Sequence, residues 1–360
     1  MIESVEIKNY KVIDYFKVEN LTNINFFVGK NNCGKTSLLE AIFLNFQPTN
    51  SQLIFKVVSI SIRHISPSNE NLEWFFHKMN TRKQIEIVST YNGKKMCLKI
   101  KPKFSNNFSF KIQDNTNEQD LNNIQQEKMR GLDFEVQFNG EKNDEKKYKQ
   151  KVNFDVVIEN KGSQNEIIGG VIPNYKSFSG RFIPSGDIGF NNAISVVAEI
   201  RKLKKENDLN KYLRIFDEKI SDIEVIGNDV MLDIADMPKR VSINVMGEGF
   251  KKYFLIVSAL ILNKQQYICI DEIENGLHFE SMEKLIFSII ELSRIAKIQL
   301  FISTHSYEFL EILEKVTSNQ NYNNVAVFNL AHTKLKGLQT YRYNMADLKN
   351  LLETKSEFRD

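Results

Sequence analysis

The chain has 360 residues, which at about 150 per domain leaves room for two domains and a full core and excludes a peptide hormone or a disulfide scaffold. With 48 Lys and Arg against 45 Asp and Glu the net charge is +3 at pH 7, so neither a uniformly basic nucleic-acid coat nor an acidic tail fits, and any basic surface is local. Hydrophobic residues at 42% and aromatics at 11% are those of an ordinary globular protein.

Residues 1–28 alternate apolar and polar positions (Val5, Ile7, Phe16, Val18) and end in Asn25-Phe26-Phe27-Val28, which predicts two short strands and one buried strand. A glycine follows, and over 36–46 Leu38, Leu39, Ile42, Phe43 and Phe46 keep helical spacing. Residues 50–175 change to short β-like runs at 83–88 and 96–101, broken by the polar stretches 114–126 and 139–151, which read as mobile loops. The segment reads as an insertion with strands of its own.

Amphipathic spacing then predicts helices over 192–205 and 209–220, and a β-type pattern returns at Ile223, Val225, Val230, Leu232 and Ile234. Next come a buried helix at 253–263, a buried strand at 267–270, a helix at 281–294, a buried strand at 298–303, a helix at 306–315, and a hairpin at 324–329 and 337–343. Buried strands alternating with helices imply an α/β fold with a mixed, mostly parallel sheet covered on both faces, preceded by an antiparallel N-terminal β part. No fixed-period repeat and no sustained heptads occur, which excludes long coiled-coil arms.

Cys33, Cys97 and Cys269 lie far apart with no CxxC spacing, as suits a reducing compartment, and a cytoplasmic location is expected. The longest apolar run, 253–262, falls short of the roughly 20 residues that span a bilayer, so no membrane partner is expected.

Gly29-Lys30-Asn31-Asn32-Cys33-Gly34-Lys35-Thr36 fits G-x-x-x-x-G-K-[ST] and stands between a predicted buried strand and a predicted helix. Glycines allow a tight turn whose N–H groups converge on phosphate oxygens, and the helix start, with Ser37, presents its positive end to the same anion. Lys35 then neutralises charge on the β- and γ-phosphates of ATP, and the Thr36 hydroxyl is a ligand for Mg²⁺. Cys33 reads as a small spacer, since no resolving partner for a redox switch is evident.

The apolar strand 267–270 delivers Asp271 and Glu272 at its carboxyl end, where an α/β nucleotide site needs acids: Asp271 for Mg²⁺, Glu272 to orient or deprotonate the attacking water. His305 closes the next buried strand and can contact the γ-phosphate as a donor. His64, His77, His278 and His332 form no metal-ligand spacing. A further glycine turn, Met246-Gly247-Glu248-Gly249, precedes the buried helix, where it allows close approach to an anion.

These four elements in this order resemble the ATP-binding-cassette ATPases of the chromosome-maintenance and RecF-like branch. The wording NNCGKTSLLEAI, VMGEGFKK, ICIDEIENGLH and STHSYEFL is closer still to ATPases of the overcoming-lysogenization-defect type and their stand-alone relatives, named AAA-family ATPases. The resemblance covers residues 1–46 and about 180–345 and implies one cassette split into 1–49 and 176–360 by the 50–175 insertion. It further implies that Gly29 to Thr36 is Walker A, that Asp271 and Glu272 are Walker B with the catalytic acid, and that His305 is the switch histidine. Glu274, Asn275, Gly276, Leu277 and His278 form the D-loop. Met246, Gly247, Glu248 and Gly249 with Lys252 form the signature, acting in trans on ATP held by a second copy. A head-to-tail dimer or larger homo-oligomer follows.

Met246 and Glu248 replace the signature serine and second glycine of transporters, so the serine hydroxyl contact is absent and backbone N–H groups of Gly247 and Gly249 are left to make it. Relatives of this type carry a Toprim nuclease domain with a DxD pair; only 55 residues follow His305 and contain none, so no nuclease activity is expected in this chain. The stand-alone relatives imply a separately encoded effector, for which a Toprim-like nuclease is one class, and a role in anti-phage defence. A RecF-like DNA-repair ATPase, with DNA as partner, and a non-hydrolysing nucleotide-gated scaffold are the alternatives.

Overall fold

The structure is a computed structural model and describes residues 1–47, 69–104, 129–139, 150–161, 164–169, 178–185, 193–333 and 337–354. The polar stretch 114–126 and most of 139–151, expected as loops, lie outside the described residues.

The chain opens with β1 (Ile2–Tyr10) and β2 (Ile13–Val18), an antiparallel pair, then β3 (Ile24–Val28) and α1 (Lys35–Phe46). All five residues of β3 are buried, as a strand flanked on both edges and covered on both faces must be. β4 (Ile85–Tyr91), β5 (Lys94–Phe104), β6 (Met129–Asn139), β7 (Gln150–Lys161) and β8 (Gln164–Gly169) follow. They form no separate sheet: β4 pairs antiparallel with β1, Ile7 opposite Ile87, giving one seven-stranded sheet in the order β2-β1-β4-β5-β6-β7-β8. Strands from both sides of position 50 therefore share one layer.

The second layer is a six-stranded sheet, and its first new strand is β9 (Gly180–Ile183). After it come α2 (Ala193–Lys202) and α3 (Glu206–Phe216), then β10 (Ile220–Ile226), β11 (Asp229–Ile234) and β12 (Val241–Ser242), a small antiparallel sheet. The helix expected over 209–220 stops at Phe216 because Asp217 turns extended and Ile220, fully buried, pairs with Ile234. Next are α4 (Glu248–Leu262), β13 (Tyr267–Ile270), α5 (Phe279–Ile295), β14 (Gln299–Ser303), α6 (Tyr307–Asn319), β15 (Val325–Thr333), β16 (Gly337–Tyr343) and α7 (Met345–Glu353). The sheet runs β16-β15-β3-β14-β13-β9, with every pair parallel except β15–β16. β9 and α7 were not expected from the sequence.

α1 lies between the two large sheets, touching β1, β4 and β5 on one side and β9, β13 and β14 on the other, so eleven of its residues are buried. The opposite face of the six-stranded sheet is covered by α2 to α7, whose apolar residues form a second continuous core. This arrangement puts the carboxyl ends of β3, β13 and β14, three neighbours or near neighbours, on one rim of the molecule.

Candidate functional site

β3 delivers the chain into Gly29 at φ 144°, where a Cβ would stand 2.4 Å from the Leu330 carbonyl oxygen, so only glycine fits. Asn32 (φ 62°) and Gly34 (φ 103°) close the loop in left-handed conformations. α1 then starts with no side-chain cap and no acid in its first turn, leaving its N–H groups directed outward with the positive end of the helix dipole. Lys30, Asn31 and Asn32 are exposed, whereas Cys33, Gly34, Lys35 and Ser37 are buried. The Lys35 ammonium donates to the carbonyls of Gly29 (2.7 Å) and Lys30 (2.9 Å), so the charge is held at the loop's own centre. Burial pushes the Cys33 thiol up, which opposes thiolate chemistry there.

β13 ends one residue before Asp271, and the Thr36 hydroxyl donates to both Asp271 oxygens, at 3.1 and 3.0 Å, although 235 residues separate them. Burial raises the Asp271 carboxyl above its ordinary range, while donors from Ser303 and Thr36 hold it back. A hydroxyl and a carboxylate meeting beside a phosphate-type loop are the hard oxygen donors that Mg²⁺ takes from protein, with water and phosphate supplying the rest.

Glu272 sits at φ 43°, a conformation rare for a residue with a side chain, and its neighbours hold it there. Its N–H donates to Ser303 Oγ (2.7 Å), and Ser303 Oγ donates to Asp271 Oδ1 (2.6 Å), so one buried serine fixes both acids. Ser303 went unnoticed in the sequence; the register Ile270 opposite Ile302 is what places it beside Asp271.

Lys252 departs from the expectation of a contact in trans. It is 1% exposed, and its ammonium donates to the carbonyls of Asp271 (3.2 Å) and Glu272 of its own chain. Burial lowers its pKa to about 8 against the opposing charges of Glu274, Asp271 and Glu272. The reason lies in the helix start: α4 begins at Glu248, capped by Gly247, so Lys252 is in its second turn and faces inward, not on a loop before the helix. Gly249 is buried against Gly276, where a Cβ would stand 2.3 Å from the Gly276 carbonyl oxygen. Gly247 and Glu248 are exposed, and Met246 is half-buried against the helical core.

In the turn expected to be the D-loop, Glu274 and Leu277 point inward, while Asn275, Gly276 and His278 are exposed. His305 follows β14 and shares a cavity of about 330 Å³ with Gly29, Lys30 and Asn31, so the histidine and the phosphate-type loop face one space. A second cavity of about 400 Å³ adjoins Thr36 and Ser37 and is walled by Val12, Trp74, Phe75, Phe76 and Met79, residues the sequence reading did not single out.

A family model described as AAA domain, putative AbiEii toxin, Type IV TA system matches residues 24–311. The chain belongs to this family. An ATP/GTP phosphatase of Helicobacter pylori is 31% identical to this AAA-domain chain over 343 residues, covering 89% of the chain and 90% of that protein. Among solved structures, the Smc head bound to the C-winged helix domain of ScpA covers 97% of the chain and 99% of its own, with TM-score 0.51 and 11% identity. The Smc head with an extended coiled coil bound to the C-terminal domain of ScpA, from Pyrococcus furiosus, covers 99% of each chain with TM-score 0.50 and 10% identity. At such identities the likeness is one of fold: the AAA-domain chain has the α/β architecture of chromosome-maintenance ATPase heads. The match is to the broad AAA-domain family, so the narrower lysogenization-defect resemblance remains an expectation.

Proposed function

We propose that this chain hydrolyses ATP as a head-to-tail dimer or higher oligomer and through that cycle controls a separately encoded effector, a Toprim-like nuclease being one class, in anti-phage defence. The observation that carries the hydrolytic part is the contact of Thr36 with Asp271 on the same rim as Lys35, Glu272 and His305. The names of the matching family and of the Helicobacter pylori relative support the reading. The cassette is read as 1–49 with 176–360, and residues 50–175 as an insertion built onto the N-terminal sheet. A cytoplasmic setting agrees with the free cysteines, and among the described residues no helix is long and apolar enough to cross a membrane.

In this reading the N–H groups of residues 29–37 and the uncapped start of α1 receive the phosphate oxygens, and Lys35 moves from its loop carbonyls to the β- and γ-phosphates. Thr36 and Asp271 would hold Mg²⁺, which when bound supplies neutralisation of phosphate charge. Glu272 accepts the proton of the attacking water as its oxygen bonds to the γ-phosphorus and the bond to ADP breaks. Gly247 and Glu248, exposed at the start of α4, are the N–H donors offered to a second copy.

The test is phosphate release from ATP with the dimer followed by sedimentation. Lys35→Ala should abolish nucleotide binding, and Glu272→Gln should keep ATP bound, lower turnover about 100-fold or more, and accumulate dimer. Wild-type turnover in Glu272→Gln overturns the assignment of the base.

A further inference from the structure

Glu274 spends one oxygen twice on the same residue. Its Oε1 accepts the backbone N–H of His305 at 2.8 Å and lies 2.8 Å from Nδ1 of the His305 ring. The carboxylate is 7% exposed, and its other oxygen, Oε2, is buried without a hydrogen-bond partner among the described residues. A side chain kept for stability alone would satisfy both oxygens, because a buried acceptor left unpaired costs stability. The near contacts of this carboxylate go to His305, while its charge also faces the buried Lys252 ammonium.

We infer that Glu274 is a positioning residue that holds His305 in one rotamer and in its Nδ1–H tautomer, leaving Nε2 as the nitrogen presented to the cavity shared with Gly29, Lys30 and Asn31. The inference rests on the hydrolytic reading above and deepens it. A carboxylate offers only acceptors, so it favours the ring form that carries a proton on the nearby Nδ1. In the neutral ring Nε2 then has the lone pair and meets its surroundings as an acceptor; it becomes a donor to a phosphate oxygen only in the doubly protonated ring. In the Nδ1–H tautomer a neutral ring does not donate from Nε2 to the γ-phosphate. Glu274 lies three residues beyond Asp271, in a tight turn where Asn275 N–H bonds the Glu272 carbonyl and Leu277 N–H bonds the Glu274 carbonyl, so the turn that follows the acids also aims the histidine. The same turn meets α4 at the Gly249–Gly276 contact, which ties the histidine's orientation to the helix that starts at the signature.

The test combines kinetics, melting and side-chain ¹⁵N NMR of the full chain. Glu274→Ala should lower kcat for ATP by roughly 10–100-fold, the range for loss of a partner that orients a working imidazole, with KM within about twofold. Its melting temperature should fall by a few degrees at most, since the buried Lys252 ammonium loses one of its three opposing charges and keeps Asp271 and Glu272. Glu274→Gln keeps an acceptor oxygen and should recover most of the turnover. In a His305→Ala background, Glu274→Ala should cost nothing further. The ¹⁵N spectrum of His305 should report protonated Nδ1 in the wild type and a mixture of tautomers in Glu274→Ala. An unchanged tautomer with unchanged kcat, or a kcat loss that tracks a lowered melting temperature while the tautomer stays fixed, overturns the inference. If instead the wild-type chain releases no phosphate from ATP, the hydrolytic reading fails while the tautomer result stands.

Discussion

Glu40 is 1% exposed on α1, and the Lys11 ammonium at 2.6 Å together with the Tyr10 hydroxyl at 3.3 Å makes its burial tolerable. Burial raises the Glu40 carboxyl above its ordinary range, and Lys11 is the main opposing influence. Lys11→Met removes the cation paired with a buried carboxylate, so the variant should lose about 3–5 kcal/mol at pH 7. Its Glu40 then binds a proton more tightly folded than unfolded, so stability falls as pH rises through the raised folded value and the deficit shrinks as pH drops toward 4.5. Urea midpoints of wild type and variant between pH 5 and pH 8 check the sign; a deficit independent of pH removes the electrostatic account. The two glycines of the expected signature differ more sharply. Gly249→Ala forces a Cβ to within 2.3 Å of a backbone oxygen, whereas a Cβ at Gly247 meets nothing within 4 Å. Gly249→Ala should therefore destabilise by roughly 1–3 kcal/mol and Gly247→Ala by less than about 0.5, readable as a difference in melting temperature.

At the scale of elements, the 3₁₀ segment Asn69–Phe75 is the part of the chain that most changes the nucleotide picture. It brings Trp74, 44% exposed, with Phe75 to the cavity beside Thr36 and Ser37, opposite the β1–β2 turn at Lys11 and Val12. A flat aromatic surface next to a phosphate-type loop suits the base of the nucleotide, and stacking of this kind contributes about 1–3 kcal/mol. Trp74→Ala should raise KM for ATP by roughly 5–100-fold with kcat nearly unchanged, and Trp74→Phe should fall between; an unchanged KM places the base elsewhere. This element was invisible to periodicity because its aromatic run carries no strand or helix rhythm. The strands that were legible, β3, β13 and β14, are those buried on both faces, whose unbroken apolar runs are themselves the signal. β9 was not, since its four residues are mostly half-exposed and owe their strand state to pairing with Tyr267–Ile270, more than 80 residues away. α4 was read as starting at Tyr253 because Glu248 to Lys252 carry three charges and a glycine; only the carbonyls of Asp271 and Glu272, twenty residues on, turn Lys252 inward. Motif residues that meet their ligand through the local backbone were thus readable, and those whose partners are set by sheet register were not.

For the whole molecule, the proposed trans role of residues 246–249 depends on what α4 can offer outward. Gly247 and Glu248 are exposed at the start of α4, while the residues that follow are committed within the chain, Gly249 to Gly276 and Lys252 to the acids. What the helix can offer outward is therefore its first N–H groups, and Glu248, engaged by Lys251 at 2.9 Å, has its charge partly answered. In a two-fold head-to-tail pair each phosphate-type loop would be covered by the partner's α4, giving two composite sites, each built from both copies. Complementation tests this directly. Lys35→Ala removes the loop's cation and keeps α4; Gly247→Asp, at an uncrowded exposed position, keeps the loop and places a charge where phosphate would bind. Each variant alone should be inactive. Mixed in equal amounts and allowed to exchange, half of the dimers are heterodimers with one intact site out of two, so about a quarter of wild-type turnover should return. Activity that stays at background on mixing, with heterodimers shown to form by mass spectrometry of differently tagged chains, means that each site is complete within one chain.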